Sequence, residues 1–368
     1  MHIGIVGYRG MVGSVLLERM RQENDFNPSF DWSFFSTSQS GKNGPLGEPV
    51  KDAEDATAFR NCDVIVTCQG GGWTNEFFPL IRKSGWNKIW LDSSSALRLR
   101  SDGMIVLDPV NEGLIVYNLS NGLKIFSGGN CTVSLMLMAC QGLFSYNLVE
   151  WINAATYQAA SGAGAKHMLE LIEQMHYISA NVPLPKETLA EDLLELDRQV
   201  TYSLRHGLPM KNFGAPLAFN LIPWIDEPAE NGQTREEWKG MVETNKILGV
   251  RPEEKQIPID GLCVRIGAMR CHSQSLLIKL KESIHLDAVR AIISRANRWI
   301  KYVPNIKEDT IKFLSPAAVS GTLDIAVGRL HKACFGGKYI QLFTVGDQLL
   351  WGAAEPIRRA LKIICENV

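Results

Sequence analysis

Along the first 130 residues, short apolar runs alternate with amphipathic ones. Ile3–Val6, Ser33–Phe35, Asp63–Thr67, Lys88–Leu91 and Ile105–Leu107 have strand length and are closed by polar or glycine-bearing turns, while Val15–Met20 carries helical periodicity. Continuous apolar strands separated by helices predict a parallel sheet covered on both faces, a Rossmann-like arrangement. Beyond residue 130 the pattern changes. Trp151–Gln158 and Gly261–Leu280 are longer and alternate, which predicts antiparallel strands. Between them Ala165–Lys246 is polar, partly helical and broken by prolines. An α/β chain with a second, α+β domain holding a mixed or antiparallel sheet follows. The tail, Gln348–Ile364, has helical spacing and is expected to return to the first domain, giving residues 1–130 plus 348–368 as one domain and 131–347 as the other.

Composition narrows the classes. At roughly 150 residues per domain, 368 residues make two domains the simplest division. With 45% hydrophobic and 21% charged residues the chain is globular rather than disordered. Lys and Arg number 38 against 39 acidic residues, so no cationic excess favours a nucleic-acid partner. Eight cysteines without a C-x-x-C pair point to neither a disulfide scaffold nor a bound metal. The chain opens on a strand-like run with no leader pattern, and Cys131–Phe144, its longest apolar stretch, is too short to span a membrane. A soluble, cytoplasmic protein is expected.

Gly7-Tyr8-Arg9-Gly10-Met11-Val12-Gly13 follows the first strand and opens a helix. Such a turn brings backbone N–H groups onto a pyrophosphate, the glycines permitting close approach, so Gly7, Gly10, Met11, Val12 and Gly13 are candidate dinucleotide contacts. The second strand ends without the acidic residue that accepts from a ribose 2′-OH. Thr37 and Ser38, with Arg9 from the glycine loop, suit a 2′-phosphate, which favours NADP over NAD.

Ser127-Gly128-Gly129-Asn130-Cys131-Thr132 leads into an apolar helix. A thiol at a helix N-terminus meets unpaired N–H groups and the positive end of the dipole. Cys131 is therefore expected to be a low-pKa thiolate that alkylates ahead of the other seven cysteines, with the same N–H groups able to hold an oxyanion.

Together with the opening glycine motif, Gly129-Asn130-Cys131-Thr132, Thr156–Gly162, Arg235–Lys239, Arg265–His272 and Gly346–Gly352 make the whole chain resemble the aspartate-β-semialdehyde dehydrogenases of Gram-negative bacterial type. The resemblance implies a homodimer that catalyses NADPH-dependent reductive dephosphorylation of L-aspartyl 4-phosphate through a Cys131 thioester, in lysine, methionine and threonine biosynthesis. Residues 1–130 plus 348–368 would bind NADP, and 131–347 would hold the catalytic and dimerisation functions. It implies His272 as the proton shuttle, Arg265 on the substrate carboxylate, Glu236 on its ammonium, Arg98, Lys239 and Asn130 on phosphate, and Gln158 against the bound substrate. Gln69, Ser161, Gly162 and Gln348 would touch the cofactor. Residues 249–256 form a longer polar loop than the family pattern, and Lys166 stands where arginine is expected; neither is given a role. An N-acetyl-glutamyl-phosphate reductase-like enzyme and a non-catalytic NADP-binding sensor are the alternatives.

Arg265 and His272 lie seven residues apart, an odd offset that places side chains on opposite faces of a regular strand. Both can face one cleft only if the strand bends or breaks, with Gly267 as the expected hinge. Otherwise Arg270 would take the place of Arg265.

Overall fold

A computed structural model describes residues 1–368. The early apolar runs become β1 (His2–Val6), β2 (Asp31–Ser36), β3 (Lys51–Asp52), β4 (Val64–Thr67), β5 (Ile89–Asp92), β6 (Met104–Val106) and β7 (Ile125–Gly128). They form a parallel sheet in the order β3-β2-β1-β4-β5-β7-β6. Successive side chains divide between its two faces, which explains runs without polar interruption. Ile5, Phe34, Val66 and Leu91 pack with α1 (Met11–Gln22) and α3 (Asp108–Ser120). Val6, Phe35, Ile65 and Trp90 pack with Trp73, Phe77 and Ile81 of α2 (Gly71–Lys83).

The second sheet comprises β8 (Val149–Gln158), β9 (Leu221–Ile222), β10 (Ile259–Asp260), β11 (Cys263–Ile266), β12 (Cys271–Leu280), β13 (Ile300–Tyr302), β14 (Ile325–Lys332) and β15 (Tyr339–Asp347). Its order is β13-β14-β15-β12-β8-β11-β9, with β10 also on β8. β12 runs antiparallel to β8, but β10 and β11 run parallel to it, correcting the antiparallel expectation for the whole of 261–280. β11 and β12 lie on opposite sides of β8, and residues 267–270 cross over its end. There Ala160 N–H donates to Ala268 O (2.8 Å) and Ser161 N–H to Met269 O (3.0 Å).

Against the second sheet lies α4 (Cys131–Ser145), buried almost throughout. The longest apolar stretch is thus a core helix, and no helix is long and apolar enough to cross a membrane. The polar middle supplies α5 (Ala165–Asn181), α6 (Ala190–Arg205) and α7 (Arg235–Ile247). The final helix, Glu355–Asn367, packs Ile357, Leu361 and Ile364 against the first sheet. Ion pairs fasten it there, Arg358 to Asp25 (2.6 Å) and Arg19 to Glu355 (3.0 Å).

Candidate active site

The strand order of the first sheet reverses direction between β1 and β4, which opens a crevice at their C-terminal ends. The glycine turn fills it. Gly7 has φ +74°, and a Cβ there would lie 2.5 Å from Gln69 N; a Cβ on Gly13 would lie 2.3 Å from Gly7 O. Only glycine permits this stacking of loop on helix. Gly10 caps α1 without a side-chain acceptor, so the first-turn N–H groups of Met11 and Val12 face the crevice without a cap. Thr37 and Ser38 are exposed at the end of β2, Arg9 is exposed on the loop, and Gln69 Nε2 approaches Thr37 Oγ1 at 3.5 Å.

Three strand spacings separate β1 from β7 in the same sheet, about 14 Å at ~4.8 Å each. At the end of β7 the chain turns into α4 and presents Cys131. Its Sγ lies 3.2 Å from His272 Nε2. Because β12 enters from one side of β8 and β11 from the other, His272 and Arg265 converge on the β8 end. A Cβ on Gly162 would lie 2.8 Å from Arg265 Nη1 and 3.2 Å from His272 Nε2, which places Gly162 over both. The break expected around Gly267 takes the form of a crossover, not a bulge within one strand. Arg270 is committed elsewhere, its Nε bonded to the buried Asp347 carboxylate at 2.5 Å.

The expected low-pKa thiolate requires correction. Asn130 Oδ1 accepts from the N–H groups of both Thr132 (2.9 Å) and Val133 (3.2 Å), so two of the donors at the α4 N-terminus are taken up by the helix's own cap. Burial pushes the Cys131 thiol up to about 12, and the neighbouring Glu236 carboxylate acts in the same direction against Arg265, Arg98 and Lys239. Cys131 is thus held as a thiol. Burial, aided by the Arg265 charge, holds the His272 imidazolium well below its ordinary pKa. Its Nδ1 accepts from Ala159 N–H at 3.0 Å, so the neutral ring carries its proton on Nε2, facing the sulfur.

The residues expected to bind substrate gather around Asn130. Its Nδ2 donates to both carboxylate oxygens of Glu236 (2.9 Å each), and Gln158 Nε2 donates to Glu236 Oε1 (3.2 Å). Lys239 Nζ is bonded to Asp226 (2.6 Å) and Glu236 (3.2 Å). Thr234 and Glu237 form the capping box of α7, whereas the Glu236–Lys239 pair faces inward rather than solvent. Arg98 is buried, its Nε donating to Gly128 O (2.6 Å) and its Nη1 to Glu243 Oε1 (3.1 Å). Arg265 is 7% exposed and has no carboxylate partner, its Nη1 donating to Ala159 O at 2.7 Å. Of the residues expected to touch the cofactor, Ser161 donates from Oγ to Gln348 Oε1 at 2.8 Å. Lys166 is exposed, and the 249–256 loop is held by exposed pairs from Arg251 to Glu254.

Sequence reasoning missed Glu243, Asp226 and Gly352. Glu243 had a signal: it stands seven residues after Glu236, two helical turns along one face. Gly352 had none. A Cβ there would lie 2.9 Å from Cys131 Cβ, a contact made across 221 residues of chain by the turn after β15.

A dinucleotide crevice joined to a contacting Cys–His pair fits the class of NAD(P)-binding oxidoreductases. The chain belongs to the semialdehyde dehydrogenase family: residues 2–116 match its NAD binding domain and residues 140–351 its dimerisation domain. Among solved structures it is similar to the aspartate semialdehyde dehydrogenase from Francisella tularensis, with 43% identity, a TM-score of 0.94, and 99% of this chain and 100% of that one covered. It shares the fold of aspartate semialdehyde dehydrogenase II from Vibrio cholerae, solved in complex with ASA (23% identity, TM-score 0.79, coverage 100% and 98%). It also shares the fold of the Candida albicans enzyme solved with NADP (15%, 0.66, coverage 100% and 98%).

Proposed function

We propose that the chain is an aspartate semialdehyde dehydrogenase, interconverting L-aspartyl 4-phosphate and L-aspartate 4-semialdehyde on the route to lysine, methionine and threonine. One observation carries the reading: Cys131 and His272 are in contact, and Arg265, Glu236 and Arg98 surround them with the charges that a carboxylate, an ammonium and a phosphate require. Sγ of Cys131 joins the acyl carbon as a thioester while the acyl C–O bond breaks, the phosphate leaving toward Arg98, Lys239 and Asn130 with the thiol proton. Arg265 grips the α-carboxylate with the guanidinium nitrogens that its bond to Ala159 leaves free. Glu236 takes the ammonium, exchanging one of its present donors for it, and Gln158 orients the bound substrate. His272 Nε2–H stands where sulfur adds to a carbonyl and stabilises the oxygen that gains charge. To carry a proton it must release Ala159 N–H, which the substrate-free arrangement disfavours.

NADPH, when bound, supplies the hydride. Its pyrophosphate fits the cradle of Gly7, Gly10, Met11, Val12 and Gly13, where any Cβ at residues 7 or 13 would intrude. Thr37, Ser38 and Arg9 would meet the 2′-phosphate, Gln69 lies on the adjoining strand end, and Ser161, Gly162 and Gln348 line the approach to Cys131. The dimerisation-domain match supports a homodimer, for which exposed Leu169, Ile172, Leu193 and Leu194 offer an apolar face. Eight unpaired cysteines support a cytoplasmic setting.

Phosphate-dependent reduction of NADP by aspartate semialdehyde tests the reading. Activity is expected with NADP well above that with NAD; activity only with N-acetyl-glutamate semialdehyde would replace it.

A further inference from the structure

Glu243 is a buried carboxylate with both oxygens bonded next to Asn130, and none of the chemistry above uses it. It is 1% exposed. Oε2 accepts from the backbone N–H of Asn130 at 2.6 Å, and Oε1 from Arg98 Nη1 at 3.1 Å. Arg98 in turn donates from Nε to Gly128 O at 2.6 Å. The three residues before Cys131 are thus gripped at both ends by one ion pair. The same α7 face grips Asn130 a second time, through Glu236 on its side-chain amide.

Two consequences follow from the geometry. Arg98 has its Nε and Nη1 occupied within the protein, so its orientation is fixed and Nη2 is the nitrogen left for an incoming anion. Both carboxylate oxygens of Glu243 act as acceptors, one toward a cation and one toward a buried N–H, a task that a neutral amide cannot perform at both ends. We propose that Glu243 is a positioning residue that sets phosphate affinity by orienting Arg98, and that it holds the Asn130 turn from which Cys131 projects. The proposal rests on the reading of Arg98 as a phosphate ligand.

The test uses the full-length enzyme in the phosphorylating direction, with KM determined separately for phosphate and for semialdehyde. Glu243→Gln puts an NH2 group against either Arg98 or Asn130 N–H. It is expected to raise the phosphate KM by about tenfold while leaving the semialdehyde KM within about twofold. NADPH binding is expected to be unchanged. If the Gln variant does not fold, Glu243→Asp, which keeps the charge but cannot span both partners, is expected to show the same split more weakly. In an Arg98→Ala background the Glu243 substitution is expected to add nothing to the phosphate KM. A phosphate KM unmoved by the Glu243 variants while Arg98→Ala raises it overturns the role of Glu243 alone. So does an equal further rise in the Arg98→Ala background. A phosphate KM unmoved by Arg98→Ala overturns the assignment of Arg98, and the inference with it.

Discussion

Arg265 and His272 hold opposite ends of one residue. Arg265 Nη1 donates to Ala159 O, and Ala159 N–H donates to His272 Nδ1. The two side chains arrive from strands on either side of β8, and the residue that follows β8 fixes both. The shared anchor sets the spacing between the proposed carboxylate clamp and the nucleophile's partner. It also selects the imidazole tautomer, since an N–H pointing at Nδ1 leaves the ring proton on Nε2.

That tautomer, with burial, predicts a pH effect on stability. The folded pKa of His272 is depressed, so on acidification below the unfolded value near 6.5 the unfolded chain takes up a proton that the folded one refuses. Stability therefore falls as pH drops from about 6.5, with a slope of up to about 1.4 kcal/mol per pH unit from this group. His272→Asn should remove this share, so the difference in Tm between variant and parent should shift in favour of the variant from pH 7 to pH 5. A constant difference across that range would show that His272 titrates normally.

Reactivity of the thiols follows from their surroundings. With Cys131 pushed up to about 12 and Cys334 exposed, iodoacetamide at pH 7 should modify Cys334 before Cys131 in the substrate-free enzyme. Modification of Cys131 should accelerate about tenfold per pH unit above 7. Peptide mapping by mass spectrometry reads both. Cys131→Ala should abolish turnover and still bind NADPH. Preferential labelling of Cys131 at neutral pH would mean that the helix end outweighs burial.

Cofactor choice should respond to the end of β2. Thr37→Asp places a negative charge where the 2′-phosphate is proposed to sit and offers an acceptor to a free 2′-OH. The ratio of kcat/KM for NADP over NAD should fall by about tenfold or more. An unchanged ratio would move the discriminating contacts away from Thr37.

Gly352→Ala tests the wall behind the nucleophile. The added methyl would lie 2.9 Å from Cys131 Cβ and 3.3 Å from its Cα, so the sulfur must shift relative to His272. A kcat loss of about 100-fold is expected for a displacement near 1 Å, with NADPH affinity kept. Retention of full kcat would show that the turn after β15 yields in place of Cys131.

Much of this architecture was legible in the residues. Val64–Thr67 and Ile89–Asp92 are buried on both faces and so read as strands, while Gly7 and Gly13 marked the one turn where backbones come too close for a Cβ. The position of Cys131 at a helix start was also readable, but its electrostatics were not. Asn130 looked like a phosphate ligand, and its role as the cap that takes up the Thr132 and Val133 N–H groups depends on a rotamer. The parallel pairing of β11 was hidden because alternation reports which face a residue occupies, not the direction of the neighbouring strand. Glu243 was hidden by its composition: a glutamate on an amphipathic helix reads as solvated unless its partners from residues 98 and 130 are known.

The closing helix has a consequence for how the protein is made. Leu349, Leu350, Ile357, Leu361 and Ile364 belong to the same buried cluster as Ile3, Ile5 and Leu16. A nascent chain emerging from the ribosome has every strand of the first sheet available by residue 128, yet one face of that sheet stays incomplete until residues 349–364 emerge. The cofactor-binding sheet is therefore synthesised first and finished last, with an apolar surface waiting through the translation of more than half the chain.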